Sequence, residues 1–114
     1  MMLALILFII AALGGLTLFT LRLQHRPLPL WLALVHGAFA VSGLIALMVQ
    51  VINGHAPGTL PRVALGLLVL AAIGGLLAFS FHLRRLPIPI PMLIVHGVVA
   101  ASGVITLATY VMRM

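Results

Sequence analysis

The chain has 114 residues, is 65% hydrophobic and contains neither Asp nor Glu, so its formal charge of +6 rests on six arginines. A water-soluble domain carries roughly 25% charged residues; this one carries 5%, which excludes an ordinary soluble globule. The arginines stand at the ends of apolar runs, which argues against nucleic acid as a partner, and zero cysteines exclude disulfides, thiolate metal sites and covalent haem attachment.

Four apolar runs follow one another, each close to the ~20 residues that cross a ~30 Å hydrocarbon layer. The first, Met1–Leu21, carries Gly14, Gly15 and Phe19. It lacks the positive n-region of a cleaved leader and its pattern recurs as the third run, so a structural helix is expected. The loop "RLQHRP" (22–27) leads to the second run, Pro29–Val51, which holds Trp31 and His36. After the turn-rich connector "NGHAPG" (53–58), the third run, Val63–Phe81, repeats a diglycine at Gly74 and Gly75 and a phenylalanine at Phe79. The loop "HLRRLP" (82–87) opens the fourth, Pro89–Met112, with His96 and Tyr110. In lipid every backbone N–H and C=O must be satisfied within the segment, so the runs are read as helices. The expected fold is all-α, a single integral membrane four-helix bundle over residues 1–114, with membrane lipids as its surroundings.

A shift of 60 residues aligns the chain with itself without a gap, and 20 of 44 positions are identical between residues 4–47 and 64–107. The expected organisation is therefore two tandem two-helix units, about 1–52 and 62–114, joined by a connector at 53–61. Each unit has an even number of spans, so both enter the membrane in the same sense, around a pseudo-two-fold axis along the membrane normal. The second and fourth spans then run parallel, with His36 and His96 at equal depth. Four arginines lie in the two hairpin loops, against Arg62 and Arg113 at the opposite side. The positive-inside rule places the hairpin loops in the cytoplasm and both termini outside, as in a bacterial inner membrane. Trp31 and Tyr110 suit the aromatic belts at the two faces.

His36 lies seven residues beyond Pro29, roughly 10 Å inside the cytoplasmic boundary at 1.5 Å per residue. Gly14, Gly15, Gly74 and Gly75 fall at a similar depth. On the histidines' own helical face, at i+4 and i+7, stand Ala40 and Gly43, then Ala100 and Gly103. Both histidines are thus expected to face a surface without side-chain bulk. Small residues in membrane helices ordinarily mean close packing, and a buried histidine can simply hydrogen-bond to a backbone carbonyl. Yet ionisable groups inside a membrane are costly and mark function by default, and here two occupy equivalent positions.

Zinc asks for three or four protein ligands, whereas haem brings four nitrogens of its own and needs at most two axial ligands. His36 and His96 supply two for an iron held between spans two and four. Glycine and alanine beside them leave room for a flat macrocycle, and Phe19 and Phe79 are placed to flank it. Arg22, Arg26, Arg84 and Arg85 wait at the cytoplasmic boundary for the anionic propionates, or for anionic lipid. The pattern of His36, His96 and their glycines resembles the transmembrane b-type cytochromes, which hold non-covalent haem between histidines on membrane helices. The resemblance implies haem b as cofactor and electron transfer near the cytoplasmic face, with quinone or a redox protein as partner. The chain then acts alone, as a homo-oligomer or as a membrane subunit of a larger complex, and any enzymatic role is that of an oxidoreductase component. Rival readings are a haem sensor or carrier, a pigment protein with one histidine per magnesium, a small transporter or proton path, and a structural subunit without cofactor. The transporter reading lacks the intramembrane glutamate of small multidrug-efflux proteins. Ser42 and Ser102 lie on a different face from the histidines, so a Ser–His nucleophile is not expected.

Overall fold

The computed structural model describes all 114 residues, Met1–Met114. Four helices and no strands make up the chain: α1 (Met2–Leu23), α2 (Leu30–Ile52), α3 (Thr59–Leu83) and α4 (Ile90–Met112). At 22 to 25 residues they are about 33–38 Å long, and all four are long and apolar enough to cross a membrane, with mean hydropathy from 2.0 to 2.6.

The helix starts explain the loop sequences. Pro29 and Pro89 stand at the N-caps of α2 and α4 in extended conformation. Proline has no N–H to offer, and the first turn of a helix leaves its N–H groups unpaired in any case. The same argument lets α3 begin at Thr59, four residues before the apolar run at Val63, with Pro61 inside its first turn. At the other ends, α1, α2 and α3 close with the same device. The amides of Arg26, His55 and Leu86 reach back to the carbonyls of Leu21, Gln50 and Phe81, while His25, Gly54 and Arg85 adopt positive φ. These are Schellman caps. Only Gly54 occupies its left-handed position without a Cβ penalty; His25 (φ 55°) and Arg85 (φ 56°), equivalent under the 60-residue shift, do so against it.

The helices pair as hairpins, α1 with α2 and α3 with α4, and the ring closes through α2 against α3 and α1 against α4. No close backbone approach joins α1 to α3 or α2 to α4, so these pairs are the diagonals of the bundle. The apolar core gathers Ala4, Leu5, Phe8, Leu47, Ala64, Leu68 and Leu107. All of these lie in the half of the bundle that carries the chain termini. Gly43 and Gly103 make the core dense: a Cβ on Gly43 would stand 3.2 Å from the Phe8 ring, and one on Gly103 only 2.7 Å from Leu68 Cγ. In the other half, toward the hairpin loops, the buried helix residues are Ala11, Ala71 and Ala78. Only 15 residues are buried and none of them is polar or charged, while many large apolar side chains, among them Leu13, Leu16, Leu70 and Leu76, are exposed on the helices.

Candidate functional site

The histidines sit just on the loop side of the apolar core, where no large side chain is fully buried. Nδ1 of His36, on α2, donates to the carbonyl of Ala11 on α1 over 2.7 Å. Nδ1 of His96, on α4, donates to the carbonyl of Ala71 on α3, also over 2.7 Å. Donor and acceptor are 25 residues apart in both hairpins, and Ala11 and Ala71 match under the 60-residue shift. A carbonyl oxygen can only accept, so Nδ1 of each ring carries a hydrogen, and Nε2 is the ring nitrogen left without a partner in the chain.

The diglycines exist for these rings. A Cβ on Gly15 would lie 2.9 Å from His36 Cε1, and one on Gly75 would lie 3.1 Å from His96 Cε1. A Cβ on Gly14 or Gly74 would meet the same two histidines at 3.5 and 3.6 Å, ordinary contact distances. Both imidazoles thus pack against a stretch of helix that has no side chain. So seated, they meet across the α2–α4 diagonal with ring centroids 6.3 Å apart and planes at 86°. His96 also borders an open groove of about 400 Å³ on the α3–α4 flank, with Leu70, Gly74, Leu77, Met92 and Val95.

The remaining expected site residues are distributed differently. Gly43 and Gly103 belong to the core, because Phe8 and Leu68 fill the space above them. At Gly43 and Gly103 the bare surface expected beside the histidines is therefore filled by apolar side chains. Ala40, Ala100 and Phe19 are half-buried, while Phe79 stacks on His82 with ring centroids 5.9 Å apart. Arg84 turns back on its own helix, donating to the carbonyl and hydroxyl of Ser80 and covering the Phe81 ring at 4.9 Å. Arg26 and Arg85 are exposed. Arg22 crosses to the other unit, its Nε donating to the Ile88 carbonyl over 3.1 Å.

No family model, curated protein or solved structure matches the chain. No cluster of three or more His, Cys, Asp or Glu side chains is present that would hold a metal ion by itself. The site offers two imidazoles, and any metal it takes must bring the rest of its coordination shell.

Sequence reasoning named both histidines and all four glycines beside them, but missed Ala11 and Ala71. Their contribution is a backbone carbonyl, which has no side-chain signature. The one available signal was their identity across the repeat, which they share with many positions that do nothing but pack.

Proposed function

We propose that the chain is a small integral membrane b-haem protein, with His36 and His96 as axial ligands of one haem between α2 and α4. The observation that carries the reading is the matched pair of Nδ1–H···O=C bonds on rings 6.3 Å apart. A metal-binding histidine commonly donates its second ring nitrogen to a carbonyl, which fixes the tautomer and turns the free nitrogen toward the metal. The His36 and His96 rings, with centroids 6.3 Å apart across the α2–α4 diagonal, are the side chains that would hold such a group. Haem suits a two-ligand donor set because the macrocycle fills the other four positions.

Bound there, haem would supply one-electron redox chemistry, with His36 and His96 as the residues that would hold it. The chain's own residues hold the rings: Ala11 and Ala71 orient them, and Gly15 and Gly75 let them approach the neighbouring helices. We place the four helices across a bacterial inner membrane as two tandem parallel units, with hairpin loops in the cytoplasm and termini outside. The apolar exterior and the loop arginines support this placement. The groove beside His96 faces away from the bundle centre and gives a lipid-soluble quinone a place to exchange electrons; a redox protein at the cytoplasmic face is the other partner class.

The same hydrogen bonds favour a second reading, a structural subunit in which each histidine staples its own hairpin. Such interhelical bonds are worth about 0.6 kcal/mol on average and up to about 1.7 kcal/mol. Absorbance of protein purified from haem-supplied cells separates the two. One haem per chain, with a sharp α-band on reduction, supports the first reading, and a colourless protein that stays colourless after haem titration leaves the second.

A further inference from the structure

Arg22 is the only one of the six arginines that is not exposed. It lies one residue before the end of α1, at the loop end of the bundle, and its Nε is tied to the carbonyl of Ile88, itself buried in the α3–α4 loop. This bond turns the guanidinium into a bridge between the two hairpins and fixes its plane. Neither Nη group has a hydrogen-bond partner within the chain, and neither is sealed from the surface. The chain contains no carboxylate side chain to pair with it. A half-buried, oriented cation with its fork free and no internal counter-charge needs an external oxyanion, and the fork geometry of arginine matches phosphate with two parallel N–H···O bonds.

We infer that Arg22 is the centre of a specific seat for one anionic phospholipid headgroup at the junction of the two hairpin loops. The lipid is the occupant favoured by position. The seat lies at the end of apolar helices about 33 Å or more in length, where a spanning helix leaves the hydrocarbon for the headgroup layer. Arg26, Arg84 and Arg85 lie in the same two loops and add positive potential that draws anionic lipid. The seat is single because the repeat is broken here. Position 82, equivalent to Arg22, is a histidine stacked on Phe79, and it makes no bond to Leu28, the equivalent of Ile88. This inference does not depend on the haem reading.

The test uses full-length protein in neutral detergent, titrated with phosphatidylglycerol or with phosphatidylcholine and read by native mass spectrometry. Wild type is expected to retain one phosphatidylglycerol per chain in preference to phosphatidylcholine. R22Q is expected to bind it about tenfold more weakly, and R22K, which keeps the charge but loses the fork, to fall between. R26Q and R85Q are expected to change affinity by less than about twofold, since exposed charges contribute little alone. Equal losses in R22Q and R26Q, or several equivalent lipids per wild-type chain, would mean a diffuse basic surface and overturn the seat. Displacement of the lipid by millimolar inorganic phosphate would overturn its assignment to lipid. Wild-type stoichiometry and the R22K value decide the matter even if R22Q folds poorly.

Discussion

Replacing Gly15 with alanine tests whether the diglycines are shaped around the histidine rings. The added methyl would stand 2.9 Å from His36 Cε1 and 3.3 Å from Nδ1. Ordinary contact begins near 3.4 Å, so the ring must retreat by about half an ångström or the helices must separate. The ring is held in place by its 2.7 Å bond to Ala11 and faces His96 at 6.3 Å between centroids, so retreat disturbs one or both. Overpacking of this kind costs about 1–3 kcal/mol, set against about 0.8–1.0 kcal/mol that alanine gains over glycine in a helix. At Gly14, one residue away, the methyl would meet His36 Cβ at 3.5 Å, and only the helical gain applies. Gly14→Ala is therefore expected to be more stable than Gly15→Ala by about 1–3 kcal/mol. Gly75→Ala, at 3.1 Å from His96 Cε1, should fall between them.

The assay is reversible unfolding in mixed micelles with increasing SDS, followed by helicity. A double-mutant cycle sharpens it: in a His36→Ala background the ring is gone, and Gly15→Ala should lose its penalty. The coupling between the two sites should be of order 1–3 kcal/mol, the upper part of the range for residues in contact. If Gly15→Ala matches Gly14→Ala in stability, or if the two substitutions at 15 and 36 simply add, the glycine is not there for the ring.

If one haem is shared, His36→Ala and His96→Ala should each convert low-spin six-coordinate haem into a five-coordinate or empty form, with similar losses; a single mutant that keeps half the pigment with a native spectrum rules out sharing. Gly103→Ala, whose methyl would lie 2.7 Å from Leu68 Cγ, should lower stability by about 1–3 kcal/mol and be partly rescued by Leu68→Ala; no rescue in SDS unfolding would refute the contact. His25→Gly and Arg85→Gly remove a Cβ from left-handed residues and should each stabilise by up to about 1–2 kcal/mol, whereas Gly54→Ala should destabilise by a similar amount; a lower thermal midpoint for either glycine variant contradicts the strain argument. Reporters fused to the C-terminus should be active only outside the cytoplasm; activity of a cytoplasm-only reporter inverts the proposed orientation.

The four helices were legible because the apolar runs exceed what any soluble element of this length needs, and their ends were blurred where proline intervenes. α3 begins at Thr59 because a proline in a first turn neither breaks a bond nor announces that the helix has already started. Gly43 shows the limit of reading small residues by helical face. It shares a face with His36, seven residues away, yet its neighbour is Phe8, because the apolar core begins between those two levels. Nothing in the spacing distinguishes a glycine that admits an imidazole from one that admits a phenylalanine; only the opposing helix does. The arginines divide in the same way. Their number and loop positions are visible in the sequence, but Arg22 differs from Arg26 through a bond to a carbonyl 66 residues away. For the histidines this dependence decides the chemistry. The side chains could be named from the sequence, whereas the nitrogen left free to act is chosen by the carbonyls of Ala11 and Ala71, which become neighbours only when each hairpin closes.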